Sequence, residues 1–253
     1  MDRKTVEIES LEPKKSKTMN PELMLVMPVY NEQECIRKVV SEWFDEIEKW
    51  TENFVILVID DGSTDNTLTL LQRLQSQLGS RLEVISRENR GHGQSCIQGY
   101  KLACERTIPF VMQIDSDGQC DTSYFHKLWR KRNTFPVIYG DRVKRDDGWR
   151  RVLASWILRF TVLFSTGAWC TDPNVPYRLM QTVHLSPVIE SIPNDIFLAN
   201  VALAVLLRKV PDLRHERIPI RFRERYAGEP SVRLNQFGNR AVELVRQLRN
   251  MMQ

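Results

Sequence analysis

Apolar runs of strand length alternate with amphipathic segments through the first half of the chain. The apolar runs are residues 22–30, 53–60, 81–87 and 109–115. The segments between them carry apolar residues three and four positions apart, which predicts helices with one apolar face. These helices are residues 31–50, 67–78 and 94–106. Apolar strands that alternate with helices are typical of a mostly parallel sheet with helices on both faces, so we predict an α/β fold.

The second half has a less regular pattern. Its predicted elements are strands at 135–142, within 172–181 and at 217–225, and helices at 193–209 and 232–252. Asn194 or Asp195 would cap the first of these helices. Asn31 and Glu34 have the spacing of a capping box, which would start the helix at 31–50.

These patterns divide the chain into three regions. Residues 1–20 are polar and lack an apolar core segment, so we expect a flexible tail rather than a signal peptide. Residues 21–230 are expected to form one domain, with a regular half at 21–126 and a less regular half at 127–230. Residues 231–253 are expected to form a basic amphipathic helix.

The charge of the chain is unevenly distributed. Residues 1–126 carry 14 Lys and Arg against 21 Asp and Glu, whereas residues 127–253 carry 22 against 11. A basic half indicates an anionic partner, such as nucleotide phosphates, nucleic acid or an acidic membrane surface. An unevenly charged solvated surface is the alternative. Because no aromatic-rich basic motif appears, we do not expect a nucleic-acid partner.

Two further apolar segments are too short to span a membrane. They are residues 156–164 and 196–207, and a spanning helix needs about 18 residues or more. We expect both to pack in the core. The first lies beside the sequence WRR at 149–151, so contact with a membrane interface is its alternative.

Five cysteines are scattered without the spacing of a metal site. They are Cys35, Cys96, Cys104, Cys120 and Cys170. An odd number of unclustered cysteines is typical of reduced thiols, so we expect a cytoplasmic protein without a zinc site.

The sequence QIDSDGQCD concentrates acidic residues at the end of a predicted strand. Asp115, Asp117 and Asp121 lie within seven residues. Carboxylates that close repel each other unless a cation lies between them. Asp115 and Asp117 suit one hard cation, Mg²⁺ or Mn²⁺, with open positions for a diphosphate. A polar turn is the alternative.

Three such clusters follow predicted strands. They are residues 28–32, 60–64 and 115–119. The carboxyl ends of parallel strands lie on one edge of a sheet, where ligands bind. We therefore expect the three clusters to form one site. The acceptor pocket of a receiver domain also places acids at strand ends, but that domain is about half as long as this chain.

Four motifs together resemble the family-2 glycosyltransferases with the GT-A fold. They are MPVYNE (27–32), VIDDGSTDNT (58–67), NRGHGQS (89–95) and QIDSDGQ (113–119). Their order and spacing match as well, and the resemblance covers about residues 20–225. It implies a GT-A fold in which residues 21–126 bind a nucleotide-sugar donor and residues 127–230 bind the acceptor.

Within that family the chain is most similar to polyprenyl-phosphate sugar transferases of the dolichyl-phosphate mannose synthase type. The similar segments are the D-x-D-x-Q pattern ending at Gln119, YGDRV (139–143), Asp172 with PYRLM, and FRERYAGEPS (222–231). The chain departs from that pattern in two places on the acceptor side. Val175, Pro176 and Tyr177 replace Ser-Gly-Phe, and Pro230 interrupts the Gly-Ser spacing in a block without its usual Lys.

The resemblance implies a role for each matching residue. Pro28, Tyr30 and Glu32 would line the nucleotide pocket, and Asp60 would bind the base. Gly91 and Gly93 would let the backbone approach the donor. Asp115, Asp117 and Gln119 would hold Mg²⁺ or Mn²⁺, and Arg142 and Arg225 would bind phosphate.

The expected reaction is displacement at the anomeric carbon of a hexose, with inversion, and with Asp117, Asp195 and Arg225 as catalytic residues. A lipid phosphate needs no base, whereas a sugar hydroxyl needs a carboxylate. Asp195 is the first candidate base and Asp172 the second, although Asp195 also suits a helix cap. Arg221, Arg223 and Arg225 have strand spacing, so their alternative is a solvent-facing strand side.

The expected partners are a UDP- or GDP-sugar and a polyprenyl phosphate at the cytosolic membrane face. The basic second half would then contact acidic lipid or a membrane partner. A soluble transferase acting on a sugar or natural-product hydroxyl is the main alternative. A nucleotide-sugar-binding module without catalysis is another, which the intact acid pair disfavours.

Overall fold

The structure is a computed structural model that describes most of the chain. The described residues are 20–142, 149–167, 169–193, 196, 198–226 and 245–251. The predicted tail, apart from Asn20, and most of the predicted C-terminal helix lie outside these residues. So does the candidate base Asp195, with its neighbour Asn194.

In the described residues, seven strands form one sheet. They are β1 (Leu23–Val29), β2 (Phe54–Asp60), β3 (Leu82–Ser86), β4 (Phe110–Gln113), β5 (Val137–Arg142), β6 (Arg178–Gln181) and β7 (His215–Ile220). Their order across the sheet is β3-β2-β1-β4-β6-β5-β7. β6 is antiparallel to both of its neighbours, while the other pairs are parallel. The prediction of a mostly parallel α/β sheet is confirmed.

Helices connect these strands. They are α1 (Ile36–Glu48), α2 (Thr67–Leu78), α3 (His92–Glu105), α4 (Phe125–Lys131), α5 (Trp149–Thr166), α6 (Thr182–Ile189) and α7 (Ala199–Lys209). α2 has the predicted bounds, and α1 and α3 differ from theirs by a few residues at the ends. Residues 245–250 are helical as well, which agrees with the predicted C-terminal helix over that part.

The strand order reverses beside β1. β2 and β3 lie on one side of β1, whereas β4, which follows them in the chain, lies on the other. Crossovers between parallel strands are right-handed, so α1 and α2 cover one face of the sheet and α3 covers the other. A crevice opens beyond the carboxyl ends of the strands at such a reversal. The fold therefore places its ligand crevice beyond β1 and β4.

The sheet core is apolar on both faces at its centre. Every residue of β1 and β2 is buried, which explains why these strands lack the polar alternation of a half-exposed sheet. α3 lies close to β1 because Gly99 faces Val26, and a Cβ on Gly99 would come within 2.3 Å of the valine side chain.

Two predicted helix caps are wrong. α1 begins at Ile36 rather than near Asn31, which has a φ of +54°. The Asn31 Oδ1 accepts a hydrogen bond from the Thr64 N–H at 2.8 Å, so this side chain joins two loops instead of capping a helix. α7 begins at Ala199 after Leu198, which places its start beyond the predicted caps at 194 and 195.

The last predicted strand is too long. β7 ends at Ile220, so Arg221, Arg223 and Arg225 do not share a solvent-facing side of a strand. The chain leaves the sheet at this point and turns towards the acidic loop that follows β4. Long-range ion pairs with Glu42, Asp117 and Asp121 hold it there.

The two short apolar segments differ in their burial. In the segment at 196–207, most of the described residues are buried, as predicted for a core helix. The core prediction for 156–164 is wrong for one side of α5, because Trp156, Phe160 and Phe164 are 44%, 44% and 79% exposed. These aromatic residues are four positions apart and share one helix face.

Candidate active site

The loops after β1, β2 and β4 meet at one edge of the sheet. The Asn31 N–H donates to the Ser63 Oγ at 2.9 Å, which joins the first two loops. The Cys35 Sγ lies 3.6 Å from the Ser116 carbonyl oxygen, which joins the first loop to the third. The three motif clusters predicted to converge are therefore neighbours. Within the first, Pro28 is buried in β1, while Tyr30 is 42% exposed at the rim.

Asp61 organises the loop before α3, a role that the sequence analysis missed. Its Oδ1 accepts from the Arg87 guanidinium at 2.8 and 3.0 Å and from the Arg90 N–H at 3.0 Å. Its Oδ2 accepts from the Gly91 N–H at 2.7 Å. Gly91 has a φ of +92°, which glycine adopts more readily than other residues. One buried carboxylate, that of Asp61, thus fixes the conformation of the asparagine-arginine-glycine segment of this loop.

Asp60 and Gly93 have partners within the chain. The Asp60 carboxylate is buried and accepts from the Ser63 N–H at 3.3 Å and the Ser86 hydroxyl at 2.9 Å. A Cβ on Gly93 would lie 3.3 Å from the Ala199 Cβ, so this glycine permits close packing against α7. Their roles towards a donor remain predictions.

Asp115 and Asp117 lie at the centre of the edge. The Asp115 Oδ1 accepts from the Gln113 Nε2 at 3.1 Å and lies 3.6 Å from the His92 Nε2. Burial raises the pKa of the Asp115 carboxyl, and the Asp117 charge raises it further. The Asp117 Oδ1 accepts from the Gln119 N–H at 3.0 Å, which closes the turn at Gly118.

A buried polar network supports Asp115 from within the sheet. The Gln113 Oε1 accepts from the Asn200 Nδ2 at 3.1 Å and from the Tyr100 hydroxyl at 3.3 Å. Gln113 then donates to Asp115 through its amide nitrogen. β4, α3 and α7 are thereby joined beneath the acidic loop, and buried networks of this kind fix side-chain positions when their polar groups are satisfied.

Glu32 is a further carboxylate of the same edge. Burial raises the pKa of its carboxyl above the ordinary value. The Cys35 thiol donates to the Glu32 Oε2 at 3.1 Å, and the Arg225 Nη1 lies 4.0 Å from the Oε1. Glu32 therefore faces the space between the loop after β1 and the segment after β7.

Arg225 lies against the predicted metal ligands. Its Nη2 donates to the Asp117 Oδ2 at 2.9 Å, across 108 residues of sequence. Arg223 makes the equivalent contact with the third acid of the loop, because its Nη2 donates to the Asp121 Oδ1 at 2.7 Å. Two of the three acids of the QIDSDGQCD segment, Asp117 and Asp121, are thus paired with arginines from the end of the domain.

Arg142 and Asp172 form a two-bond ion pair at the end of β5. The Arg142 Nε and Nη2 donate to the two Asp172 oxygens at 2.6 and 2.8 Å. The guanidinium also lies 5.2 Å from the centre of the Phe222 ring. Both Asp172 oxygens accept hydrogen bonds from Arg142. Asp172 is therefore better placed to position this arginine than to act as a general base.

The donor set suits a cation that also binds phosphate. The described part of the chain contains no group of three or more His, Cys, Asp and Glu side chains that could hold a metal by itself. Asp115 and Asp117 supply two carboxylates, and a Mg²⁺ or Mn²⁺ bound by so few protein ligands completes its shell with water and phosphate. Burial, and then the neighbouring Asp117 charge, disfavour the ionised form of Asp115 and raise its pKa, and a bound cation would offset that cost.

A family model and a curated relative match this chain. The model of glycosyl transferase family 2 matches residues 24–180. An undecaprenyl-phosphate 4-deoxy-4-formamido-L-arabinose transferase from Serratia proteamaculans is 27% identical over 172 residues, which are 67% of this chain and 51% of the relative. The chain therefore spans about half the length of that relative.

Solved structures share the fold at low identity. Glucosyl-3-phosphoglycerate synthase from Mycobacterium tuberculosis, in complex with UDP, is 18% identical with a TM-score of 0.60, over 91% of this chain and 79% of that one. A mannosyltransferase from Pyrobaculum calidifontis, in complex with GDP-Man and Mn²⁺, is 18% identical with a TM-score of 0.54, over 80% of this chain and 56% of that one. The predicted GT-A fold is confirmed.

Replacing Asp61 with asparagine tests its organising role. The variant leaves the Arg87 guanidinium, whose side chain is 14% exposed, without its carboxylate. Removing one partner of a buried ion pair costs about 3–5 kcal/mol, so urea denaturation should show a loss of about 3 kcal/mol in the free energy of unfolding. Asp45→Asn, at an exposed position of α1, is the control and should change it by less than about 0.5 kcal/mol. Equal stability of the two variants would contradict the assigned role.

Proposed function

The chain belongs to glycosyl transferase family 2, and we propose that it transfers a hexose from a nucleoside-diphosphate sugar to a polyprenyl phosphate. The observation that carries this proposal is the edge where Asp117, in the same loop as Asp115, is bonded to Arg225. Closely placed carboxylates and a guanidinium provide complementary partners for a metal and a diphosphate.

The donor would bind in the crevice beside β1. Glu32, Tyr30 and Asp60 border the space beyond β1 and β2, and the loop held by Asp61 borders it beyond β3. Mg²⁺ or Mn²⁺, held by Asp115 and Asp117 with Gln119 nearby, would stabilise charge on the leaving nucleoside diphosphate. The Mn²⁺ and nucleotides bound by the fold neighbours support this assignment.

The acceptor phosphate would bind near Arg142. Asp172 fixes the guanidinium of Arg142 by two hydrogen bonds, so this arginine is held in place before any ligand arrives. A phosphate monoester is already ionised and attacks the anomeric carbon without a base. A single displacement inverts that carbon. The curated relative, which is named for an undecaprenyl-phosphate substrate, supports this acceptor class.

The exposed face of α5 supports a lipid acceptor. Trp156 stacks on Phe160 with ring centres 5.8 Å apart, and Phe160 stacks on Phe164 at 6.2 Å. Trp169, 43% exposed, meets Phe160 edge-on and extends this aromatic face. α5 contains arginines and no acidic residue, and it lies between Arg142 and Asp172 in the chain. Large aromatics with basic neighbours are typical of helices that lie on anionic membrane surfaces.

A membrane-surface position follows from this proposal. In the parts of the chain that the structure covers, none of the helices combines the length and apolar character that a membrane span requires. We propose that α5 rests on the cytosolic face of an acidic bilayer, through the aromatic face formed by Trp156, Phe160, Phe164 and Trp169. The lipid phosphate would then reach Arg142 from the bilayer surface.

A small phosphorylated or hydroxylated acceptor is the second candidate. One fold neighbour was crystallised with UDP-glucose, Mn²⁺ and phosphoglyceric acid, so this fold also accommodates a soluble acceptor. Transfer to a hydroxyl would need a carboxylate base, for which Asp195 remains the sequence-based candidate. Parallel assays with polyprenyl phosphate and with soluble hydroxyl acceptors separate the two reactions.

Thermal unfolding with nucleotides tests the donor site. We expect UDP or GDP to stabilise the protein, and Mn²⁺ to enlarge that effect. A nucleotide at about 100 times its Kd contributes about 2.7 kcal/mol. Asp117→Ala should lose the Mn²⁺ increment, whereas the control Asp45→Ala should keep it. Failure of both nucleotides to shift the midpoint, with or without Mn²⁺, would overturn the donor assignment.

Vesicle sedimentation tests the aromatic face. The protein should bind phosphatidylglycerol vesicles more tightly than phosphatidylcholine vesicles, and Phe164→Glu should weaken binding about tenfold or more, since burying a phenylalanine contributes about 1.5–3 kcal/mol. Val183→Glu, which changes a 70% exposed residue on α6, is the control and should bind as the wild type does. Sedimentation unaffected by Phe164→Glu would contradict the membrane contact. Self-association lost in Phe164→Glu would instead assign this face to a second copy of the chain.

A further inference from the structure

The segment after β7 lies along the acidic loop. The Arg223 N–H donates to the Gln119 carbonyl oxygen at 2.9 Å, and the Tyr226 N–H donates to the Asp117 carbonyl oxygen at 3.1 Å. The Tyr226 ring covers Gly118, where a Cβ would lie 2.3 Å from the ring. This segment, residues 222–226, is called the strap below. Its backbone holds it directly over the predicted metal ligands.

The strap is anchored to α1 by one carboxylate. The two Glu42 oxygens accept from the Tyr226 hydroxyl at 2.9 and 3.0 Å, and Oε2 also accepts from the Arg223 Nη1 at 2.9 Å. The Lys38 Nζ lies 3.7 Å from the centre of the Tyr226 ring on the same helix face. The anchor therefore fixes the residues on both sides of Arg225.

The anchored strap holds the Arg225 guanidinium against the side chain of Asp117, which is a predicted metal ligand. Asp117 has two side-chain oxygens, of which Oδ1 accepts from the Gln119 N–H and Oδ2 accepts from Arg225. The nearby Glu32 is a second carboxylate within 4.0 Å of the same guanidinium. A divalent cation on Asp117 would lie close to this positive charge, and like charges at short range in a partly buried site repel strongly.

We propose that Arg225 competes with the divalent cation for Asp117, and that the Glu42 anchor sets the strength of this competition. The inference rests on the proposed donor site. The metal alone binds weakly because it must displace the guanidinium. A nucleoside diphosphate provides Arg225 with another anionic partner, so metal and nucleotide bind best together. Glu42 and Tyr226 are positioning residues, since they act through Arg225.

Removing the Arg225 charge should change two affinities in opposite directions. Without nucleotide, Arg225→Gln should bind Mn²⁺ about tenfold more tightly than the wild type, because its competitor is gone. With saturating Mn²⁺, the same variant should bind the nucleoside diphosphate about tenfold more weakly, because a charge-assisted contact is lost. Electron paramagnetic resonance of free Mn²⁺ measures the first affinity, and calorimetry with UDP or GDP measures the second.

The anchor variants test the positioning role. Glu42→Gln and Tyr226→Phe should show the same pair of opposite changes at smaller size, while the nucleoside monophosphate affinity stays unchanged. Glu46→Gln, on the same helix but bonded to Lys49 and Trp50, is the matched control. Thermal midpoints close to the wild-type value show that the variants remain folded.

The outcomes distinguish a failure of the proposed competition from a failure of the proposed donor site. Unchanged or weaker Mn²⁺ binding by Arg225→Gln, with nucleotide binding lost, would overturn the competition and leave a plain phosphate-binding arginine. Wild-type protein that binds neither Mn²⁺ nor a nucleoside diphosphate would instead overturn the proposed donor site, and the competition with it.

Discussion

The balance of charge at the carboxyl edge of the sheet is the constraint on which the rest of the site depends. Parallel strands end together, so the fold brings Glu32 from the loop after β1 and Asp115 and Asp117 from the loop after β4 to one edge. Such a cluster is unfavourable unless cations face it. In the structure Arg225 supplies that charge from the far end of the domain, at 2.9 Å from Asp117 and 4.0 Å from Glu32. The same need for positive charge makes the edge suitable for a metal and a diphosphate.

The sequence predicts the parts of the fold that depend on local pattern. The apolar runs identify β1 and β2 because those strands are buried along their length, and they also identify β3, of which only Leu82 is fully buried. Helical spacing identifies α2 to the residue. Strand ends then locate the acids on one edge. The sequence does not predict contacts between distant segments. Asp61 binds Arg87 and Gly91, which lie 26 and 30 residues further along the chain. Arg225 binds Asp117, which lies 108 residues before it.

The misplaced elements have the same physical origin. Alternation of apolar and basic residues extends the predicted last strand to residue 225, but the segment after Ile220 leaves the sheet, where Arg223 pairs with Glu42 and Asp121 and Arg225 pairs with Asp117. The apolar spacing of 156–164 predicts core packing, although Val162 is the one buried residue among those of this segment whose burial the structure describes. Periodicity identifies an apolar face, but it does not say whether protein or lipid covers it.

One departure from the family pattern on the acceptor side, at residues 175–177, has a structural explanation, while the other, at Pro230, lies outside the described residues. Tyr177, which replaces a phenylalanine, is fully buried, packs against Trp43 with ring centres 5.7 Å apart and donates from its hydroxyl to the Asp121 carbonyl oxygen. Arg178 is buried beside it and donates to the carbonyl oxygens of Val175 and Asn200. The altered block thus stabilises the acidic loop through the hydrogen bond from Tyr177 to Asp121. This contact is compatible with an intact donor site.

The most direct test of the central claim is a crystal structure with Mn²⁺ and UDP or GDP, with the metal located by its anomalous scattering. The account predicts a manganese peak in contact with Asp117 and with the diphosphate, and an Arg225 guanidinium that has left the Asp117 Oδ2. A nucleotide bound away from the edge beyond β1 and β4, or a manganese ion that contacts neither Asp115 nor Asp117, would contradict it.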